Sequence, residues 1–352
     1  MTVTNSANAA ALSRILICRT DNIGDVVLTL PLAGFLKSQF PHIQIDFLVR
    51  SYAAPVVALS QFVDQVHAVE QVGDAETFFA SGKWTCVIFA FPQRKLAKAA
   101  KKAKIPYRVG SSHRLYHWLY CNKLAHFSRV HSPLHEAQLN FALLKPLGIQ
   151  IQPSLPQIIQ WYGLSVTSDV ADPRLASFRQ ESGVQVILHV KSNGNGREWP
   201  LSRYLELTQQ LQAEKDIVFW LTGSAAEGEF LQQHAAQLLA QPNVRKVCGQ
   251  FDLAGLAAFI AQADGLIASG TGPLHLSAAL GRPTLGLFPP IKPIHPARWG
   301  ALGVQAQVLC AEQACQTCTG AQQCQCMQKI TAQQVAQVVL AWRGQHARSA
   351  VR

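Results

Sequence analysis

The sequence predicts an α/β protein built as two similar halves, each a parallel sheet wrapped by helices. Two observations carry that expectation. Short apolar runs alternate with helix-length patterns in both halves, as a chain must when each strand is followed by a crossover helix. Between the halves lies an irregular stretch, 152–183, punctuated by Pro153, Pro156, Gly163, Pro173 and Gly183. With 352 residues there is chain enough for two cores, since domains commonly hold about 100–200 residues.

In the first half the alternation runs Ile15–Cys18, Val26–Phe40, Ile43–Val49, Val56–Gln61 and Cys86–Phe91. In the second, Val186–Val190 reads as a strand, 201–214 as a helix, Ile217–Thr222 as a strand, 225–240 and 252–263 as helices, and 265–269 as a strand. A helix from about Pro273 to Leu280 and a strand Thr284–Phe288 complete the set. The expected domains are 1–155 and 184–330, joined by a linker at 156–183. Residues 331–352 form a helix and tail, amphipathic over Thr331–Arg343, expected to pack back on the N-terminal domain.

A composition of 49% hydrophobic and 14% charged residues excludes a disordered or fibrous chain. No run approaches the roughly 20 apolar residues of a membrane-spanning helix; the candidate at 253–268 is interrupted by Gln262 and Asp264. Near the N-terminus Arg14 is followed only by the short run Ile15 to Cys18, which is no secretory signal. The nine cysteines are an odd number, and Cys18, Cys86, Cys121 and Cys248 stand singly, as free thiols do in a reducing compartment. The expected location is the cytoplasm.

The net charge of +11 is unevenly placed. From Thr77 to His135 there is no Asp or Glu, while Lys83, Arg94, Lys95, Lys98, Lys101, Lys102, Lys104, Arg108, Arg114, Lys123 and Arg129 all fall there. Such a segment suits a polyanionic partner, or is simply a solvated helix face. No recognised nucleic-acid motif accompanies it, so a nucleic-acid partner is not expected.

Ligands of open α/β sheets bind beyond the carboxyl ends of the strands, which directs attention to loops 19–26, 191–200, 223–229 and 269–275. The first, Arg19-Thr-Asp-Asn-Ile-Gly-Asp25, offers Asp25 either as a helix cap or as a general base. Gly24 has no glycine partners at dinucleotide-binding spacing. In the second, Lys191-Ser-Asn-Gly-Asn-Gly-Arg197-Glu-Trp-Pro200, two glycines permit close backbone approach, and Ser192, Asn193 and Arg197 suit a diphosphate; a flexible polar turn is the plain alternative. The last, Ser269-Gly-Thr-Gly-Pro-Leu-His275, opens a helix with Pro273 at its first turn, so Gly270, Thr271 and Gly272 precede amides that attract an anion. His275 either touches that anion or packs in the core.

Together these segments resemble glycosyltransferase family 9, the lipopolysaccharide heptosyltransferase family. The likeness rests on Arg19-Thr-Asp-Asn-Ile-Gly-Asp-Val-Val-Leu-Thr-Leu-Pro31, Arg197-Glu-Trp-Pro200 and Gly270-Thr-Gly-Pro-Leu-His-Leu-Ser-Ala-Ala-Leu-Gly-Arg-Pro283, and spans about 14 to 340. It implies a GT-B fold, two Rossmann-like domains facing a cleft, and inverting, metal-independent transfer of heptose from ADP-heptose to a lipopolysaccharide core acceptor. By position, Asp25 matches the family's catalytic carboxylate. Ser192, Asn193 and Arg197 match its diphosphate contacts, Glu227 its nucleoside contact, and Gly270, Thr271, Gly272 and His275 the segment around phosphate and sugar. Arg94, Lys95, Lys98 and Arg114 then read as an acceptor surface for a phosphorylated glycolipid, with the protein peripheral at the inner face of the inner membrane. Two positions depart from the pattern: Arg197 stands where the family often has Lys, and Gly270 where many members have Asp.

Cys310, Cys315, Cys318, Cys324 and Cys326 crowd together late in the chain. The last four suit a structural zinc by residue type, although C-x-C is tight for the usual pairings, and free thiols are the competing reading. No other cofactor is expected. Two further functions compete with heptosyl transfer: a family 9 transferase using another nucleotide-sugar, and a catalytically silent glycolipid- or nucleotide-binding protein. Retention of Asp25 beside Gly-Thr-Gly-Pro-Leu-His speaks against silence.

Overall fold

A computed structural model describes residues 12–129, 131–166, 175, 178, 180–192, 194, 196–312 and 325–350. The chain divides into two compact units, Met1–Ser165 and Val166–Arg352. Each contains a six-stranded sheet in which every pairing is parallel. The expected α/β, GT-B class of fold is what the chain adopts.

In the first unit the strands are β1 (Arg14–Cys18), β2 (Gln44–Val49), β3 (Gln65–Ala68), β4 (Cys86–Phe89), β5 (Tyr107–Ser111) and β6 (Lys123–Ala125), in the order β3-β2-β1-β4-β5-β6. β1 lies at the centre, with Ile15 opposite both Ile45 and Cys86. Its residues 15–18 and all of β4 are buried, as a sheet covered on both faces requires. The chain order reverses at β1 and β4, so the loop leaving β1 opens at a switch point. The apolar run 26–40 is two helices, Ile23–Val27 and Pro31–Gln39, because Pro31 has no N–H to continue the first helix and takes the first turn of the second.

The second unit holds β7 (Val184–His189), β8 (Ile217–Thr222), β9 (Val244–Lys246), β10 (Gly265–Ser269), β11 (Thr284–Phe288) and β12 (Ala306–Cys310), ordered β12-β11-β10-β7-β8-β9. This is the same topology, with the switch between β7 and β10. Its core gathers Val186, Leu188, Trp199, Tyr204, Phe219, Ile267 and Leu287. Trp199 and Tyr204 meet edge-to-face at 4.6 Å.

The division between the units falls inside the expected linker. The expected linker begins inside the first unit: a short helix Leu155–Ile159 leads to Trp161, whose ring lies 5.1 Å from Phe35 and 5.5 Å from Phe141. The terminal helix Ala332–Ala350 is an integral part of the second unit. It joins the second unit's core through Val335, Val339 and Trp342, and Arg343 pairs with Glu214 at 2.8 Å and Asp216 at 2.7 Å. Gly265 makes room for it, since a Cβ there would sit 2.3 Å from the Trp342 ring.

Trp342→Ala is therefore expected to cost about 3–5 kcal/mol, the usual range for emptying a buried aromatic site. Denaturant unfolding of the full chain measures this, and a cost near zero would show that the helix is not part of that core.

Candidate functional site

The β1 loop is organised by one buried cation. Arg19 is 2% exposed and sits among three carboxylates. Its Nε donates to Asp21 at 2.8 Å, its terminal nitrogen bonds Asp25, and Glu136 lies 3.8 Å away. A second cation, Arg129, also pairs with Glu136. Both guanidinium groups reach the Ala90 carbonyl, at 3.3 and 3.4 Å, and the Asn140 amide oxygen, at 3.4 and 3.3 Å. Asn140 turns its NH₂ to the Leu28 carbonyl at 3.0 Å, which ties this network to the C-terminal end of the helix Ile23–Val27.

Asp25 is not the helix cap. Asn22 occupies that position, Asp25 lies in the first turn, and its carboxylate is held by Arg19 with 17% of the side chain exposed. That leaves an oriented carboxylate at the strand edge, the arrangement a general base needs. Asp21 is the member that sequence reasoning passed over. Burial pushes its carboxyl up to about 6 from an ordinary 3.8; the Arg19 guanidinium opposes the rise and the Asp25 charge adds to it.

In the second unit the loops after β7 and β10 touch. The Trp199 N–H donates to Ser269 Oγ at 3.3 Å, and a Cβ on Gly196 would sit 3.0 Å from the Gly270 carbonyl. Among the described residues, Arg197 Nε and Thr271 Oγ1 are buried here without a hydrogen-bond partner. Thr271 caps the helix Gly272–Ala279, yet its side chain makes no capping bond. A cationic donor and a hydroxyl left unsatisfied beside a helix N-terminus fit an anion, because such atoms cost about 1–3 kcal/mol each when unpaired. His275 is 4% exposed within the first turn of this helix.

Other expected contacts are held differently. Ser192 faces into its own loop, with Oγ 3.0 Å from the Gly196 carbonyl and its N–H donating to Glu198 at 2.9 Å. Glu198 also receives Lys191 at 2.6 Å, so this carboxylate shapes the loop. Asn193 lies outside the described residues. Glu227 closes a capping box, accepting from the Ser224 N–H at 2.7 Å, and thereby starts the helix Ala225–His234. Cys315, Cys318 and Cys324 lie outside the described residues, while Cys326 is fully buried in the second unit's core.

Beside Glu227, beyond the carboxyl ends of β7 and β8, is a pocket of about 210 Å³. It is lined by His189, Thr222, Gly223, Val247, Phe251 and Leu256 among others. His189 bonds Thr222 Oγ1 at 3.0 Å, and burial lowers its pKa, which keeps the ring neutral. Sequence reasoning named neither His189 nor Phe251. The only signal for His189 was position, since it ends β7 at the expected edge; Phe251, which follows Gly249-Gln250, carried none.

The basic segment splits into two populations. Arg94, Lys95, Lys98, Lys101 and Lys102 lie on the outward face of the helix Arg94–Lys102, and Arg114 is exposed just before the helix Leu115–Tyr120. Arg108 and Arg129 are structural: Arg108 Nε donates to the Tyr120 carbonyl at 2.8 Å, and Arg129 neutralises Glu136.

Two doubly wound units, one with unsatisfied polar atoms at a helix terminus and the other with a carboxylate fixed at its strand edge, have the architecture in which α/β enzymes bind their ligands. Residues 95–329 match the model of glycosyltransferase family 9 (heptosyltransferase). The chain belongs to that family and is a glycosyltransferase. A Haemophilus influenzae protein with the provisional name of glycosyltransferase is 28% identical over 305 residues, covering 82% of this chain and 86% of its own. Lipopolysaccharide heptosyltransferase 2 of Escherichia coli is 24% identical over 296 residues, covering 80% and 84%. The solved structure of E. coli ADP-heptose lipopolysaccharide heptosyltransferase II superposes with a TM-score of 0.74 at 22% identity, over 95% of this chain and 99% of that one. At this identity the superposition speaks for the fold.

Because the folded protein holds the Asp21 proton more tightly than the unfolded chain, that contribution to stability is complete below 3.8 and lost as pH rises through about 6. Asp21→Asn cannot ionise and escapes this loss. Thermal melts across that window should show the wild type's advantage over the variant shrinking as pH rises. A difference independent of pH would overturn the reading.

Proposed function

We propose that this chain is an inverting, metal-independent transferase that moves heptose from ADP-heptose to a lipopolysaccharide core acceptor, a phosphorylated glycolipid at the cytoplasmic face of the inner membrane. The observation that carries the reading is the pair of unsatisfied atoms, Arg197 Nε and Thr271 Oγ1, on two touching loops at a helix N-terminus. A diphosphate seated there satisfies both. The same groups stabilise the charge that develops as the nucleoside diphosphate leaves. The adjoining pocket, apolar along Val247, Phe251 and Leu256, suits a nucleobase, with Glu227 beside it for the ribose. Asp25 takes the proton of the acceptor hydroxyl as that oxygen attacks the anomeric carbon, and a single displacement inverts the centre. The E. coli relatives, named for heptosyl transfer, favour this donor.

One observation favours a second reading, a family 9 transferase with another nucleotide-sugar. Gly270 stands where many members carry Asp, and a Cβ there would lie 2.9 Å from the Phe288 ring. This chain thus lacks a carboxylate that could read the donor sugar.

Calorimetry with ADP, UDP, GDP and ADP-heptose separates these readings. ADP-heptose is expected to bind most tightly, with Arg197→Ala weakening it at least about tenfold through loss of a charge-assisted contact. Asp25→Ala is expected to slow turnover about 10²–10⁴-fold while leaving donor affinity in place. Preference for another nucleotide would favour the second reading, and no nucleotide binding would sink both.

A further inference from the structure

Among the described residues seven large apolar side chains are exposed, and three of them fall on the six-residue helix Leu115–Tyr120: Leu115 at 88%, Trp118 at 58% and Leu119 at 62%. Their i, i+3, i+4 spacing puts them on one face. The opposite side is anchored by His117, fully buried, with Nδ1 2.9 Å from the Ser111 carbonyl and its ring stacked on Phe89. This face is therefore held outward by the packing beneath it. Soluble surfaces rarely gather large apolar side chains without a purpose.

What surrounds the face says what covers it. The neighbouring helix Arg94–Lys102 buries Leu96, Ala97, Ala99 and Ala100 and turns Arg94, Lys95, Lys98, Lys101 and Lys102 outward. Lys101 reaches across to the Leu119 carbonyl at 2.8 Å, joining the two helices into one surface. Arg114 and His113 are exposed at its near end. No acid occurs between Thr77 and His135, and the flanking Glu76 is engaged by Lys102 at 2.5 Å. An apolar helix face carrying a tryptophan and bordered by a stripe of cations is complementary to an anionic bilayer: acyl chains for the leucines, the headgroup layer for the indole, lipid phosphates for the lysines.

We propose that the Leu115–Tyr120 helix and the outward face of Arg94–Lys102 form a membrane-docking surface that seats Leu115, Trp118 and Leu119 in the interfacial layer of an anionic bilayer. The topology gives the placement a consequence. β5 leads into this helix, and it lies two strands from β1 in the order β1-β4-β5, so the apolar face begins at the same sheet edge as the Asp25 loop. Strands spaced about 4.8 Å apart put those two loops roughly 10 Å from each other. Gln93, leading out of β4, bridges the interval by donating to Thr20 Oγ1. A membrane-borne acceptor would thus meet the carboxylate without leaving the surface to which the protein is docked. This deepens, and rests on, the reading of the acceptor as a membrane glycolipid.

The test is flotation of the full chain with vesicles of phosphatidylcholine alone or mixed with phosphatidylglycerol, comparing wild type with the double variant Leu115→Ser, Leu119→Ser. Both positions are exposed, so folding is checked by an unchanged melting temperature and unchanged ADP binding. Wild type is expected to float with the mixed vesicles only, less so as salt rises, and the double variant to partition at least about tenfold more weakly. Equal flotation of the two proteins would overturn the apolar anchor, and failure of wild type to bind anionic vesicles would overturn the docking surface altogether. A wild-type dimer in sedimentation that the double variant dissolves, without vesicle binding, would assign the face to a second copy instead. None of these outcomes depends on turnover, so the docking surface and the proposed reaction can fail separately.

Discussion

A parallel sheet leaves a chain little freedom. Each strand must start from the same side, so each crossover returns the chain across a face, and both faces end up covered. In this protein that constraint acts twice, with the same strand order in both units. Its consequence is chemical as well as architectural, because every loop that leaves a strand for a helix lands on one edge. Asp25, Arg197, Glu227 and Thr271 are far apart in sequence, yet each follows a strand and precedes or opens a helix.

The same constraint explains what could be read from the sequence. Central strands such as β1, β4, β7 and β10 are buried on both faces, so they appear as continuous apolar runs and were legible. The strands β3, β6, β9 and β12 were not. β6 is three residues beginning with Lys123, β9 includes Arg245 and Lys246, and β12 is half open to solvent. Edge strands need only one neighbour, and their side chains carry little of the apolar signal. The loops were legible where backbone chemistry demands particular residues, as in Gly270-Thr-Gly-Pro. They were not legible where function depends on a distant partner: nothing in Asp21 or Asp25 announces that Arg19 lies between them, still less that Glu136 completes the set from more than a hundred residues away.

The two units handle their loop cations in opposite ways, and the difference tracks the roles proposed for each. Arg19 is satisfied within the protein by carboxylates, a carbonyl and an amide oxygen, which fixes the Asp25 loop before any ligand arrives. Removing a partner from such a set is costly because the remaining charge stays buried. Arg197 keeps an unsatisfied Nε on a loop that touches the one carrying the unsatisfied Thr271 hydroxyl. On the proposed reading, the native fold tolerates that cost because a bound diphosphate relieves it. A carboxylate needs orientation at rest, whereas a leaving-group site needs binding energy in reserve, so the contrast follows from the roles assigned to the two loops.

Gly270 shows how far a single position is tied to its surroundings. Its missing side chain is not merely an omission relative to relatives that carry Asp, because the Phe288 ring occupies the space a Cβ would need. Phe288 ends β11, the strand beside β10, and is itself 2% exposed. Gly286 on the same strand is pressed by the same ring, at 2.6 Å from a would-be Cβ. Restoring a carboxylate at 270 would thus require Phe288 to move or shrink. A packed aromatic thus stands in this chain against the position where related sequences place a charge, and a carboxylate at 270 needs a compensating change at 288.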